Sequence, residues 1–580
     1  MPDDRLDQIG ASPTHLKGTE PTVRFPRELH PRLIWAIATF TALVMATYLW
    51  NTEGWTNVLF TVAVTLTFGA LIVLASRRLL LATVLVAAMV ALLRTISFLK
   101  RQTTDVVLHA YDLVSFLSSW SVVTRLWHDH RQYAVGLLAA LMAAALLGWI
   151  AYRVDGTRVR RTPAVAATVV LASLAWIAAG AKDEMRHTGF YYENRYISFF
   201  FSSWSETIEA LWRGHLIEAA THAPGPRLKP LASCDLVSKP PHIILIHQES
   251  VVPPSYFPSV SYHRSVDPFF QSHDGTLRKL RVETYGGASW LTEFSVLTGL
   301  PAFSLGDLRQ FAQTIMAGKV RETLPQALAR CGYRNVAFHP MLRIYLSIER
   351  FFEAVGLHQM FDAKDQKAKL GNERDRFYYA NALAEMEHHF KTSSQPLFTF
   401  IETMATHGPY SYTYMPEVVV SGGGPGTDPD MHEYLRRMSM ARMDYDFLRS
   451  ELAHRFPDHQ FLVVHYGDHH PSVTRKLLGF AEDATFEDVM RSGNAAALIT
   501  YYAVDAVHYR PPLLPDLETI DVAYLGTIML EAAGVPLSDT YRERKRLMRL
   551  CNGRYHGCSE RKEILKFHRR LIDSGLVDAR

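Results

Sequence analysis

Five stretches of about twenty residues with almost no charge constrain the first third of this chain more than any other feature. Leu33–Trp50 (LIWAIATFTALVMATYLW), Asn57–Ser76, Tyr133–Tyr152 and Pro163–Ala181 carry no charged side chain, and Leu79–Leu99 carries only Arg94. At about 1.5 Å per residue, a helix of this length crosses a hydrocarbon layer roughly 30 Å thick. Helices buried in a soluble core are the competing reading, and five such runs before residue 182 weigh against it. The chain is expected to open with five transmembrane helices.

Basic residues then orient it. With the N-terminus inside, the inner segments hold Arg5, Lys17, Arg24, Arg27 and Arg32, then Arg77 and Arg78, then Arg153, Arg158, Arg160 and Arg161. The outer loops hold Arg94, Lys100, Arg101, Arg125 and Arg131. This bias favours N-in, and an odd number of spans sends the remainder of the chain outside. The first run does not read as a signal peptide, because its hydrophilic leader is long and four more spans follow. Tyr111–His130 mixes aromatics and charges and reads either as an interfacial amphipathic helix or as a structured loop. The expected division is 1–32 cytoplasmic, 33–181 transmembrane, 182–240 connector, 241–545 extracytoplasmic catalytic domain and 546–580 C-terminal extension.

Composition excludes some functions. A net charge of +4 over 580 residues is too mild to argue for nucleic acid. There are four cysteines and no CxxC pair, so a cysteine zinc site is not expected. Cys551 and Cys558 bracket NGRYHG and suit a small disulfide loop in an oxidising compartment. Nothing in the sequence pairs Cys234 with Cys331.

After Pro240 the grammar changes. HIILIH (His242–His247) is a short apolar run bounded by prolines, which reads as a buried parallel strand, and Glu249 stands just past it. RNVAFHP places His339 at a strand exit, PLFTFIETMATHGPY places His407 after a strand, and FLVVHYGDHHP places Asp468 and His469 there. Helical stretches such as VRETLPQALARCG lie between them. Alternating strands and helices predict an α/β domain with a mostly parallel central sheet, and ligands of such sheets gather at the carboxyl ends of the strands. Two carboxylates and an imidazole at separate strand ends suit Mn²⁺, Mg²⁺ or Zn²⁺. For each residue alone a plainer role stands beside this one: a turn cap for His339, a helix cap for Glu249. His470 reads as a neighbour of the ligands, since adjacent residues seldom point the same way.

A nucleophile is expected in ETYGGASWLTEFSVLTGLP. Gly286 and Gly287 permit a tight turn, and Ser289 then starts a helix whose free amides favour an anion. A simple N-cap serine would share this local sequence, and Thr284 and Thr292 are rival hydroxyls. The Gly-rich stretch Ser421–Asp430 reads as a linker or a mobile rim of the site.

HQES, SWLTEFSVLTGLP, FHP, THGPY and YGDHHP, in this order after five spans, resemble the lipoteichoic acid synthase and phosphoglycerol transferase group of the alkaline phosphatase (sulfatase-like) superfamily. TIDVAYLGTIMLEAAGVP is similar to that superfamily's late helix. The resemblance implies metal ligation by Glu249, Ser289, Asp468 and His469, with Mn²⁺ foremost and Mg²⁺ or Zn²⁺ as alternatives. It implies a catalytic hydroxyl on Ser289, counted back from Glu293, and substrate contacts at His407 and His339. The chain departs from the group in carrying serine where threonine is usual. After FHP it also lacks the group's Trp/Phe-Asn-Arg element, which leaves only Arg343 and Arg350 as candidates there. Sulfatases of the same fold need Cys or Ser followed by x-Pro-x-Arg, which SWLT lacks.

The implied activity is transfer of a phosphoglycerol-type head group from a phospholipid to a glycan or polymer hydroxyl through a phospho-serine, on the outer (periplasmic) side of a bacterial inner membrane. Phosphoethanolamine transfer and phosphoester hydrolysis are the alternatives. The topology is directly testable. A reporter fused after residue 580 is expected to be active only outside the cytoplasm, and cytoplasmic activity would overturn both the span count and the compartment of the site.

Overall fold

The computed structural model describes residues 28–53, 55–104, 107–113, 127, 131–180, 195–213, 216–231, 234, 240–343, 348–369, 373–484 and 486–579. Arg5, Lys17, Arg24, Arg27, Arg125 and most of Tyr111–His130 lie outside them. The described residues fall into two compact units, one within 1–92 and 135–177, the other within 93–134 and 178–580.

Helices α1 (Pro31–Glu53), α2 (Trp55–Ser76), α3 (Leu79–Thr104), α4 (Arg131–Val154) and α5 (Arg161–Gly180) are long and apolar enough to cross a membrane. Large apolar side chains point outward in this bundle, Phe40 and Trp176 among them. Helices that are apolar all round and face outward fit lipid rather than water. Polar groups are used where helices begin. Asp155, fully buried between α4 and α5, accepts from the Leu80 and Leu81 amides at 2.8 and 3.2 Å, in the first turn of α3. Its other oxygen accepts from the Thr157 amide and hydroxyl, so one carboxylate caps one helix and closes the turn before the next.

The second unit contains α6 (Tyr196–Arg213) and an eight-stranded sheet. Its strands are β1 (His242–Gln248), β2 (Arg278–Arg281), β3 (Arg334–Phe338), β4 (Gln359–Phe361), β5 (Leu397–Glu402), β6 (Phe461–Gly467), β7 (Ile499–Val507) and β8 (Thr519–Asp521). The order is β4-β3-β5-β1-β6-β7-β2-β8, and only the pairings of β7 are antiparallel. The expected mostly parallel sheet is present. Both of its faces are covered, which is why the central strands read as unbroken apolar runs. Ile243 and Leu245 pack on one face with α7 (Ser289–Thr298), α8 (Leu324–Arg330) and the Leu525–Ala532 helix. Ile244 and Ile246 pack on the other with α9 (Asp375–Thr392) and α10 (Pro429–Arg455). Each of these side chains is fully buried and contributes about 1.5–3 kcal/mol.

Three segments differ from or extend the sequence reading. Cys551–Cys558 form a disulfide, and so do Cys234 and Cys331, which lie 97 residues apart. Cys331 ends α8, where the connector runs past it, a proximity that no local pattern encodes. The stretch Ser421–Asp430 is packed rather than loose: a Cβ at Gly424 would lie 2.6 Å from Ser261 O, and Asp428 caps α10 through the Met431 amide at 2.9 Å. Residues 546–579 share the core on the α7 side through Leu547, Tyr555 and Phe567, and the helix Asp539–Leu550 runs on through residue 545.

The central pairing is β1 with β6, where Gln248 is in register with Gly467. A Cβ at Gly467 would sit 1.9 Å from Val251 O, so only glycine lets the two strand exits lie together. Gly467→Ala is expected to cost about 1–3 kcal/mol in denaturant unfolding of the detergent-solubilised chain and to lower its metal content. Unchanged stability would show that the exit of β6 is not this tightly fixed.

Candidate functional site

Each site residue stands where a strand or helix ends. Glu249 follows β1, Asp468 and His469 follow β6, and the register that aligns Gln248 with Gly467 brings the two exits side by side. The Asp468 amide donates to Gln248 O at 3.3 Å, and Asp468 Oδ1 accepts from the Ser250 and His469 amides, both at 2.7 Å. These bonds fix one oxygen and leave Oδ2 without a hydrogen-bond partner, fully buried.

Helix α7 completes the group. Gly286 and Gly287 have positive φ, and Ala288, also left-handed at φ 64°, turns the chain sharply onto Ser289. No side chain caps the first turn of α7, so the Ser289 hydroxyl stands at a helix start whose amides no side chain occupies. Ser289 Oγ donates to Glu249 Oε2 at 2.8 Å and lies 3.3 Å from His469 Nε2. His469 Nε2 is 3.2 Å from Asp468 Oδ2 and 3.4 Å from Glu249 Oε1. The four residues expected as metal ligands are therefore brought together.

The tautomer of His469 fits ligation. Its Nδ1 faces His470 O at 3.0 Å, an oxygen that only accepts, so Nδ1 keeps its hydrogen and Nε2 is the nitrogen that gives up its proton to offer a lone pair inward. Two carboxylates, a hydroxyl and this imidazole are the donors a divalent ion takes, and Asp468 Oδ2, 3.2 Å from His469 Nε2, faces them. His470 is turned away, with Nε2 against Ile499 O at 2.7 Å. Burial alone would lower the His469 pKa, but the charges of Asp468 and Glu249 hold it up at about 9. Burial likewise pushes Glu249 up, and the His469 charge overrides it, with His407 contributing, to hold it well below the usual carboxylate range.

Behind this group lies a second one that sequence reasoning assembled only in part. His247, two residues before Glu249, has Nε2 3.3 Å from Asp468 Oδ2 and Nδ1 2.8 Å from the Tyr466 hydroxyl. His247, Glu249 and Asp468 bring potential ligand atoms within 4.8 Å of one another, as do Glu293, His339 and Glu402. His339 is buried, with Nε2 2.8 Å from Glu402 Oε2 and 3.6 Å from Glu293 Oε1. Its Nδ1 accepts from the Met341 amide at 3.1 Å, so its hydrogen is on Nε2, the reverse of His469. That tautomer turns a proton, not a lone pair, toward the two carboxylates. Burial and the neighbouring Glu293 charge raise Glu402 to about 7. The signals for His247 and Glu402 were present: one lies at the alternate position to Glu249, the other is an acid ending an apolar strand.

The remaining candidates have definite places. Thr292 donates to Asp468 O at 2.8 Å and Thr284 to Gly287 O at 2.7 Å, so both rival hydroxyls bind backbone. His407 is exposed, and its Nδ1 lies 2.6 Å from Gly408 O. Arg343 is held by Glu349 at 3.0 Å, Asp362 at 3.2 Å and Asp365. Arg350 sits half-buried in the helix Ile348–Val355.

Residues 241–514 match the family model described as Sulfatase. A Haemophilus influenzae protein described as uncharacterized is 22% identical over 366 residues, 59% of this chain and 62% of that protein, so the match spans less than two thirds of the relative's length. Among solved structures, the Streptococcus pyogenes phosphoglycerol transferase GacH, in complex with sn-glycerol-1-phosphate, aligns with TM-score 0.46 and 17% identity, covering 59% of this chain and 87% of that one. The Listeria monocytogenes lipoteichoic acid synthase LtaP aligns with TM-score 0.37 and 17% identity over 51% and 72%. The C-terminal periplasmic domain of Escherichia coli EptC aligns with TM-score 0.35 and 13% identity over 55% and 88%.

A proton and a cation compete for His469 Nε2. Binding of Mn²⁺ near pH 7 is therefore expected to release a proton, and affinity should rise about tenfold per pH unit up to about pH 9. Calorimetry in buffers of different ionisation enthalpy reads both, and Glu249→Ala, Asp468→Ala or His469→Ala should abolish the binding. An affinity that does not change with pH would remove His469 from the ligand set.

Proposed function

We propose that this chain, whose residues 241–514 match the family model described as Sulfatase, is a membrane-bound, metal-dependent transferase of the alkaline phosphatase superfamily. In this reading it moves a phosphoglycerol-type head group from a phospholipid to a glycan or polymer hydroxyl. The observation that carries it is the Ser289 hydroxyl, 2.8 Å from Glu249 and 3.3 Å from His469 at the start of an uncapped helix, while Thr284 and Thr292 are bound to backbone. Two disulfides and no free cysteine among the described residues support an oxidising compartment for the domain, outside the cytoplasm. Five helices long and apolar enough to cross a membrane support a lipid as its donor substrate.

Glu249, Ser289, Asp468 and His469 would hold the divalent ion. When bound, such an ion supplies positive charge that lowers the hydroxyl pKa and neutralises phosphate oxygens. Glu249 orients Ser289 Oγ by accepting its hydrogen. Oγ attacks phosphorus, the bond from phosphorus to the lipid oxygen breaks, and the proton lost from Oγ ends on that oxygen, so the lipid departs as diacylglycerol. The head group stays as an ester on Ser289, its charge facing the free amides of α7. An acceptor hydroxyl then attacks the same phosphorus, the bond from phosphorus to Oγ breaks, and the acceptor's proton ends on Ser289 Oγ. His407 donates Nδ1–H to Gly408 O, which leaves Nε2 to take the acceptor's proton. His339, buried against Glu293 and Glu402, would act through those carboxylates and the rear wall of the site.

A second reading, phosphoethanolamine transfer, is favoured by Arg343. Its guanidinium is committed to Glu349, Asp362 and Asp365, which leaves it unsuited to gripping a phosphoglycerol. Purified protein incubated with head-group-labelled phosphatidylglycerol and phosphatidylethanolamine decides between the two, and movement of neither label would sink the phospholipid donor. With donor and no acceptor, mass spectrometry should find the adduct on the Ser289 peptide. Ser289→Ala should lower transfer by at least about a thousandfold while the chain stays folded, Ser289→Thr should keep part of it, and His407→Ala should lose turnover but keep metal. An adduct on Thr284 or Thr292 would defeat the assignment.

A further inference from the structure

The turn that carries His407 hangs from one buried arginine. Arg437, on α10, is 1% exposed, and its guanidinium reaches three carbonyls of that turn. Nη1 donates to His407 O at 2.7 Å, and Nη2 donates to Pro409 O at 2.9 Å and Tyr412 O at 3.2 Å. Nε donates to Glu433 Oε1 at 2.7 Å, and the same oxygen accepts from the Tyr414 amide at 2.8 Å. The guanidinium carbon lies 5.2, 5.1 and 5.0 Å from the ring centres of Tyr410, Tyr412 and Tyr414. Every residue from His407 to Tyr414 that faces inward thus meets this one cation or its carboxylate.

We propose that Arg437, seated by Glu433, is a positioning residue that fixes the His407 turn for transfer. The claim rests on the reading of His407 as the proton-handling group on the substrate side. A buried charge needs a reason to be kept, because desolvating it is expensive unless every donor is used. Here the three donor nitrogens of a planar fork are spread over four acceptors, which a lysine ammonium, a single point, does not span. The bonds go to backbone carbonyls of the turn and not to its side chains. What they set is the path of the chain, and hence where the exposed His407 imidazole and the half-exposed Tyr412 ring stand. Displacing a catalytic group by about 1 Å costs on the order of a hundredfold in rate.

Arg437→Lys tests this in two independent ways. Hydrogen exchange followed by mass spectrometry reads the turn without any substrate, and the peptide spanning residues 404–414 should exchange faster while strands β1 and β6 do not. Kinetics are read on the labelled phospholipid, or on bis(p-nitrophenyl) phosphate if the wild-type chain turns over only that. There kcat/KM should fall about tenfold to a hundredfold at unchanged metal content. Placed on a His407→Ala background, Arg437→Lys should cause little further loss, because the two act through one group. Glu433→Gln carries the same measurements if Arg437→Lys does not fold. Unchanged exchange in 404–414 overturns the anchor whatever the substrate proves to be. Faster exchange with wild-type kinetics, or losses that add fully to those of His407→Ala, makes Arg437 structural only and overturns its positioning role. A wild-type chain that turns over neither phosphoester defeats the transferase reading, and with it the role of the anchor in transfer, while the exchange data still judge the anchor itself.

Discussion

The parallel pairing of β1 with β6 is the constraint on which the rest of the catalytic domain depends. It aligns Gln248 with Gly467, and so sets Glu249 beside Asp468 and His469 although more than two hundred residues separate them. The Asp468 carboxylate then ties the exits by accepting from the Ser250 amide, and Thr292 ties α7 to the same place through Asp468 O. Ser289 is positioned by these bonds as much as by its own turn. Glycine at 467 is the condition for all of this, since nothing larger fits against Val251 O.

Charge is arranged in two layers. In the front layer, His469 donates its Nδ1 hydrogen to a backbone carbonyl and turns Nε2, where a proton or a cation can sit, toward two carboxylates and a hydroxyl. In the rear layer, His339 accepts at Nδ1 and turns a hydrogen toward Glu293 and Glu402. Both histidines follow apolar strands with nearly the same local sequence grammar. Their opposite roles come from which backbone group each Nδ1 meets.

Within residues 241–514, which match the Sulfatase family model, a serine hydroxyl stands between a carboxylate and an imidazole. The sulfatase formylglycine signature is missing from SWLT, and five helices are long and apolar enough to cross a membrane. Arg343 is committed to three carboxylates, and the His407 turn is suspended from Arg437.

Local pattern alone determined the membrane spans, the mostly parallel sheet, the strand-exit positions of Glu249, Asp468 and His469, and Ser289 at a helix start. Each follows from a periodicity or a boundary that a short window contains: about twenty uncharged residues for a span, an apolar run ending in a polar group for a strand, paired glycines for the turn. Cys551–Cys558 was legible for the same reason, being seven residues apart. Tertiary structure decided what depends on which distant segments meet. It paired Cys234 with Cys331, bound the hydroxyls of Thr284 and Thr292 to backbone, set His247 against Asp468, grouped Glu293 and Glu402 around His339, and put Arg437 beneath His407. Hydrogen-bond roles and buried charge are settled by the partner a side chain finds across the fold, and sequence spacing carries no record of that partner.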